Sequence, residues 1–247
     1  MKLLQWNIWY KEDIDNILST IKEINPDVIC LQELTINHPH HNQNIDTPRF
    51  IAEGLGFKYF FKEAQKSISN GHERKYGNAI FSRFPIIDSK FYYIQDLQDP
   101  NIQNPDYSKE GRVYIESIIE VDGKKFTIAT THMSYTHEFA STPEKKVETN
   151  KLIEILKEKN SNFIFTGDLN LLPNSYTINE LSKLLKNAGP TLEQNTWTTK
   201  PFSYNGFNAD TLNWRLDYCF VTPDIEVKSS QIIDTPYSDH LPILIEF

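Results

Sequence analysis

The chain has 247 residues, enough for one large domain with a well-buried core, and residues 1–247 read as a single domain without repeat, low-complexity tract or linker. Hydrophobic residues make up 39% and charged residues 23%, which suits a soluble globular protein, and no apolar run is long enough to span a bilayer. A net charge of −8 argues against bulk, sequence-blind adhesion to nucleic acid, and two cysteines inside apolar runs, Cys30 and Cys219, exclude a disulfide scaffold and a structural zinc site.

The chain opens on Met1-Lys2-Leu3-Leu4-Gln5-Trp6, which leaves no room for a charged segment and a hydrophobic signal core, so the expectation is a cytoplasmic monomer without membrane or obligate protein partner. From Asp13, apolar Ile14, Ile17, Leu18, Ile21 and Ile24 fall three or four apart until Pro26, predicting a helix. Thr142-Pro143 opens a second helix as cap and first-turn proline, with Leu152, Ile153 and Leu156 inward. A third runs from about Ser175, with Ile178, Leu181, Leu184 and Leu185 inward and Gly189-Pro190 closing it. Strand-like runs cover residues 3–8, 28–32, 57–61, 78–81, 92–94, 113–121, 126–130, 163–165, 215–221 and 241–247. Asp122-Gly123 between two of them is a hairpin signal. Hairpins mixed with helix-linked strands predict an α/β sandwich of mostly antiparallel sheets with helices outside.

The chemically capable residues sit where apolar strands end. Asn7 follows the first run, Glu33 the second, and His132 closes 126–130. Asp168 follows Phe163-Ile164-Phe165-Thr166-Gly167, with Asn170 two residues on; Asp217 follows Trp214-Arg215-Leu216, and Asp239-His240 precedes the last strand. Each has an ordinary structural reading as a turn cap, loop carboxylate or satisfied histidine. Together they define a cleft if the strand ends share one edge. Phosphodiester hydrolysis asks a site for roughly 20 kcal/mol of barrier reduction. An oxygen-ligand site with Glu33 as main carboxylate, helped by Asn7, suits Mg²⁺, and an acidic chain acting on phosphate needs such a cation. Asp168 is the candidate base for water, Asn170 can donate to a phosphate oxygen, and a protonated His240 held by Asp217 can bind the phosphoryl group. His132 is then a second proton carrier, the acid toward the leaving group.

In order, Gln5-Trp6-Asn7, Leu31-Gln32-Glu33, Gly77-Asn78-Ala79-Ile80-Phe81-Ser82-Arg83, Thr131-His132-Met133, Gly167-Asp168-Leu169-Asn170, Trp214-Arg215-Leu216-Asp217-Tyr218 and Ser238-Asp239-His240-Leu241-Pro242 resemble the endonuclease/exonuclease/phosphatase superfamily across almost the whole chain. The resemblance implies a four-layer α-β-β-α sandwich and a divalent metal, Mg²⁺ or alternatively Mn²⁺ or Ca²⁺. It implies metal positions at Asn7 and Glu33, a water-orienting and phosphate-contacting pair at Asp168 and Asn170, and an Asp217–His240 pair. Asp239 matches a second metal-side or water-orienting carboxylate. His132 matches the histidine of the deoxyribonuclease, sphingomyelinase, deadenylase and inositol phosphatase branches. Abasic-site endonucleases have tyrosine there and an acid soon after the first asparagine, which Ile8-Trp9-Tyr10 lacks. Yet Asn195-Thr196-Trp197 and residues 213–218 look like that branch, and tyrosyl-DNA phosphodiesterases share the Trp-Asn start.

Three segments bear on the substrate. Residues 37–47 hold His38, His40 and His41, a solvated loop or a transition-metal site. Residues 95–110, with Asp96, Asp99 and Asp106, form an acidic rim that would repel polyanions. Residues 197–213 carry Trp197, Phe202, Tyr204 and Phe207, with Trp214 next; such aromatics stack on bases or pack under the loop. Arg112 either reaches phosphate or makes a surface salt bridge. The first expectation is a metal-dependent nuclease or DNA-end-processing phosphodiesterase, with nucleic acid as substrate and Trp197, Tyr204, Trp214 and Arg112 as contacts. The alternative is a phosphoesterase on a small-molecule or lipid-headgroup phosphate. A catalytically silent binding module would have lost Glu33, Asp168 or His240, and all are present.

Overall fold

Apolar runs without strict alternation belong to strands covered on both faces. The computed structural model, which describes residues 1–41, 45–69, 71–101 and 107–247, arranges them in that way. The elements are β1 (Lys2–Asn7), α1 (Ile14–Ile24), β2 (Val28–Ile36), α2 (Thr47–Leu55), β3 (Lys58–Ser69), β4 (His72–Ser82), β5 (Ile86–Gln95), β6 (Arg112–Val121), β7 (Lys124–His132), α3 (Pro143–Leu156), β8 (Phe163–Asp168), α4 (Tyr176–Leu184), β9 (Lys186–Asn187), β10 (Phe202–Tyr204), β11 (Phe207–Ala209), β12 (Asp217–Val221), β13 (Ser229–Ile232) and β14 (Ile243–Glu246). One sheet has the order β13-β14-β1-β2-β4-β3, the other β5-β6-β7-β8-β12-β9. In each, one neighbouring pair is parallel, β1 with β2 and β7 with β8, and the rest are antiparallel. Each parallel pair needs a crossover helix, α1 in the first sheet and α3 in the second.

Successive residues of a strand face opposite sides, and three apolar layers result. Leu3, Val28, Cys30, Ile80, Ile115, Ile128, Ile164 and Cys219 meet between the sheets. Leu4, Trp6, Ile29 and Leu31 face α1 and α2. Tyr114, Ala129, Phe163 and Phe165 face α3 and α4. The fold is therefore the four-layer α-β-β-α sandwich, and both cysteines are buried free thiols. Among the described residues no helix is long and apolar enough to cross a membrane.

The caps follow the sequence. Asp13, Thr142 and Ser175 each accept a backbone N–H at their helix starts. Val121 pairs with Lys124 across Asp122 and Gly123, both at positive φ. Some expectations need correction. The segment 37–47 is not a solvated loop throughout: His38 and His41 are buried, and α2 begins at Thr47 behind the cap of Asp46, while residues 42–44 lie outside the described residues. The third helix ends at Leu184; Leu185 caps it in extended backbone and the chain enters β9 before Gly189. The strands foreseen at 57–61 and 78–81 are the inner ends of a long hairpin, β3 with β4, and β13 was not foreseen.

Candidate active site

Strand register brings the strand-end residues together. His132 pairs with Asp168, and Asp168 with Asp217, so β7, β8 and β12 end in a row of chemically active side chains. In the first sheet Asn7 pairs with Gln32, and the β2–β4 register shifts between Leu31 and Leu34. That bulge resets side-chain parity: Leu31 and Leu34 both face the helices, and Glu33 between them, at φ 63°, turns to the sheet edge. Gly167 lets β8 approach β7 closely, since a Cβ there would stand 2.3 Å from the Thr131 carbonyl oxygen.

Hydrogen bonds then fix the groups. Asn7 Nδ2 donates to Glu33 Oε1 (3.1 Å) and Asp168 Oδ2 (3.0 Å), and Asn7 Oδ1 accepts from Trp9 N. Glu33 Oε2 accepts from Tyr10 N at 3.0 Å. Asn170 donates its backbone N–H to Asp168 Oδ1 (2.9 Å), and its Nδ2 lies 3.0 Å from both His132 Nε2 and the Met133 carbonyl oxygen. His240 Nδ1 is 2.8 Å from Asp217 Oδ2, while its Nε2 points toward Asp168 Oδ2 at 3.6 Å. Asp239 Oδ2 accepts from Trp197 Nε1 at 3.2 Å. Asn7, Glu33, His132, Asp168, Asn170, Asp217, Asp239 and His240 thus share one rim.

The electrostatics separate their states. Burial alone would lower the His240 pKa, but Asp217, Asp168 and Asp239 together raise it well above the ordinary histidine value, so it is an imidazolium. His132 goes the other way: burial first, then the charges of Arg112, His240 and Lys145, push it well below, and in the free protein it is neutral. To act as the acid toward the leaving group, His132 would first have to gain a proton, which an anionic phosphate beside it would favour. Burial pushes Asp168 up to about 6, with Asp217 adding to the rise and His240 and the Asn7 amide opposing it. Asp239 is likewise pushed up to about 6, by burial and by Glu33.

That surplus of buried negative charge tests the fit of a metal. Asp239 Oδ1 is buried with no hydrogen-bond partner, and Glu33 repels it. The carboxylates of Glu33 and Asp239 suit a hard divalent cation; Asn7 turns its Nδ2 toward Glu33 and its Oδ1 toward Trp9 N, and would offer an oxygen ligand only with its amide turned over. A tighter acidic and histidine cluster is Asp168, Asp217 and His240, whose ligand atoms lie within 4.8 Å of one another. Its histidine already holds a proton against Asp217, so that cluster reads as a charge pair.

Of the remaining predicted residues, Arg112 is 8% exposed, pairs with Glu110 Oε2 at 3.4 Å and projects its charge onto His132. Trp197 is only 4% exposed and packs edge-on against Phe139, Phe202 and Trp214. Tyr204 lies 5.8 Å from Tyr135, on the small β10–β11 hairpin. The aromatic loop therefore packs under itself, and Trp197 serves Asp239 through its indole N–H. In the acidic segment, Asp106 lies outside the described residues, and Gln95 Nε2 donates to the Ser108 and Glu110 carbonyl oxygens.

Residues without a predicted role also build the site. Gln5 and Gln32, fully buried, bond each other and reach Asp217 and Thr130 respectively, tying the two sheets together beneath the rim. A polar residue inside an apolar strand was the available signal. Thr196 Oγ1 accepts from Leu216 N and Asp217 N. Lys145, Glu148 and Ser134 form a buried network behind His132.

The model of the Endonuclease/Exonuclease/phosphatase family matches residues 4–240. The protein angel of Drosophila melanogaster is 24% identical over 166 residues, 66% of this chain but 44% of its own length, so the chain spans under half of that relative. A family structure from Leptotrichia buccalis covers 100% of this chain and 98% of its own at 22% identity, with a TM-score of 0.68. The mannosyl-6-phosphatase of Bacteroides thetaiotaomicron aligns over 100% and 98% at 20% identity, also with a TM-score of 0.68.

Proposed function

The chain belongs to the endonuclease/exonuclease/phosphatase family of phosphoester hydrolases, and from that premise we propose that it hydrolyses a phosphodiester in nucleic acid by in-line attack of water, with Mg²⁺ in the site and Mn²⁺ or Ca²⁺ as substitutes. The observation that carries this reading is the continuous row His132–Asp168–Asp217 facing Asn7 and Glu33. Asp168 orients the attacking water and takes its proton, a task for which a carboxylate near 6 is matched at neutral pH. His240, kept charged by Asp217, binds a phosphoryl oxygen through Nε2 and stabilises the charge that develops there. Asn170 donates to another oxygen without adding charge by turning to it the Nδ2 hydrogen that faces His132, while the other stays on the Met133 carbonyl oxygen. His132 stands beside Asn170 and lends the leaving oxygen a hydrogen-bond partner. A divalent cation held by Glu33 and Asp239, and by Asn7 Oδ1 once that amide turns over, would neutralise the phosphate and stabilise the leaving oxygen.

Nucleic acid is favoured by the rim next to Glu33. Tyr10, whose backbone N–H binds Glu33, meets His38 at 5.1 Å and Tyr76 at 6.0 Å. Lys11 Nζ lies 5.6 Å from the Trp9 ring and 5.5 Å from Tyr10. Half-buried Trp9, Tyr10 and Tyr76 among cations offer stacking and phosphate contact despite the net charge of −8. A second reading, hydrolysis of a small-molecule phosphate, is favoured by the packed state of Trp197 and by likeness to the mannosyl-6-phosphatase.

The test is Mg²⁺-dependent cleavage of labelled single-stranded, nicked, abasic and 5′-blocked DNA and of RNA, beside sugar phosphates and an aryl phosphodiester, with His240→Ala as control. Metal-dependent cleavage of a nucleic acid, lost in the control, is expected. Turnover of small phosphates alone refutes the nucleic-acid reading in favour of the second. No turnover of any of these substrates refutes both.

A further inference from the structure

Resting on the hydrolase reading above, we infer that Lys145 and Glu148, a buried ion pair at the start of α3, are positioning residues for the reaction: they clamp the backbone that follows His132 and, through it, Asn170. Both residues are 1% exposed, and they lie on the inward stripe of α3 with Thr149, Leu152 and Leu156. Lys145 Nζ donates to the Ser134 carbonyl oxygen and stands 3.6 Å from Glu148 Oε2. Glu148 in turn accepts from Ser134 N at 3.0 Å and from Ser134 Oγ at 2.6 Å. One pair thereby binds every polar group of Ser134.

What the clamp holds is close to the chemistry. Met133, between Ser134 and His132, donates its N–H to the Asp168 carbonyl oxygen and accepts from Asn170 Nδ2 at 3.0 Å. That same Nδ2 lies 3.0 Å from His132 Nε2. A shift of Ser134 therefore moves His132 and Asn170 together. Lys145 also lies close enough for its charge to act on His132, and the charges of Asp168 and Arg112 act on it in return. Burial lowers the Lys145 pKa to about 8 even with Glu148 opposing, so the charge is held at a cost.

Stability alone explains such a pair poorly, because apolar replacement of a buried ion pair is often neutral or stabilising. Geometry explains it directly. Displacement of a reacting group by about 1 Å can cost on the order of 10²-fold in rate.

The experiment compares Lys145→Met, Glu148→Gln, Ser134→Ala and, as a packing control on the same helix, Leu152→Ala. Turnover of an aryl phosphodiester is measured with melting temperature, together with the side-chain amide resonance of Asn170 and the ring resonances of His132 by NMR. Lys145→Met and Glu148→Gln should lower kcat by about 10²-fold with KM within about threefold, Ser134→Ala by a smaller factor. All three should shift the Asn170 and His132 resonances. Leu152→Ala should lower the melting temperature and leave kcat and those resonances in place. Unchanged kcat and resonances in folded Lys145→Met, or equal changes in Leu152→Ala, overturn the inference. If wild type turns over neither the aryl phosphodiester nor any nucleic acid or sugar phosphate named above, the hydrolase reading fails, and the resonances alone decide the clamp.

Discussion

Asp217→Asn removes one negative charge and almost no volume from the site. The carboxylate sits 2.8 Å from His240 Nδ1, both residues being buried, and Asp217 is the largest of the three charges that raise the histidine's pKa. Two unit charges about 4 Å apart are worth about 4 kcal/mol at an effective dielectric near 20, a large share of what holds the proton on His240. Burial, which opposes the charged form, then has less against it, and the His240 pKa falls. If the imidazolium binds the phosphoryl group, activity on the alkaline side is lost at lower pH than in wild type, and kcat falls by about 10²–10³ as for other lost oxyanion donors. The sign in stability follows by linkage. A raised folded pKa stabilises fully below the unfolded value and is lost as pH rises through the folded one, so the variant's deficit is largest in mild acid and shrinks toward alkaline pH. The assay is a kcat–pH profile on an aryl phosphodiester, with urea melts at several pH values. An unmoved alkaline limb with kcat within about twofold would refute the charged role of His240.

Asp239→Asn removes a carboxylate whose folded pKa is raised to about 6. Such a group costs stability once the unfolded chain would ionise it, so without metal the variant should melt above wild type by about 2–4 °C per kcal/mol relieved, the gap opening as pH rises from about 4 to about 6 and holding at higher pH; a gap that does not open over that range contradicts the raised pKa. In the same variant Mg²⁺ should lose most of its stabilising effect, and an undiminished Mg²⁺-induced rise would exclude Asp239 as a ligand. Trp197→Ala should impair nucleic-acid and aryl phosphodiester turnover alike, since Trp197 holds Asp239 from a packed cluster; selective loss of nucleic-acid cleavage would restore a stacking role. Cys30, pushed up to about 12 by burial, and Cys219, which burial raises well above the usual thiol value, should stay inert to a thiol reagent until the protein unfolds. Labelling of native protein at either position would contradict their burial between the sheets.

Much of the site was legible because strand ends are written locally. An apolar run that stops at Asn7, His132 or Asp168 marks a sheet edge, and parallel and antiparallel register then align the edges without further information. The layers were legible for the same reason, since runs such as 163–165 have no polar face to leave in water. The β3–β4 hairpin was not, because its outer half, from Lys62 onward, is partly exposed and mixes charges with few apolar residues. The α2 helix carried its own punctuation in Asp46, Pro48 and Gly56, but the histidines before it drew the segment toward a loop. Trp197 could not be placed from sequence. Whether a ring stacks on substrate or on Phe139 and Trp214 depends on contacts far along the chain.

The two histidines show how one rim can hold opposite protonation states. His240 and His132 both approach Asp168 Oδ2, at 3.6 Å and 3.4 Å, yet one is charged and the other neutral. Distance to that shared carboxylate does not distinguish them; what lies behind each does. Burial disfavours the charge on both rings; at His240 Asp217 leads the carboxylates that outweigh it, whereas at His132 Arg112, His240 and Lys145 add to it. Each sheet position thus sets a proton inventory before substrate arrives: a donor at His240, an acceptor at Asp168, a neutral ring at His132. Arg112→Gln removes one of the cations that keep His132 neutral and should raise its titration toward the ordinary histidine value, with His240 scarcely moved. NMR titration of both rings reads this directly, and a shift shared equally by the two would mean that the rim responds as one field instead of two separately backed sites.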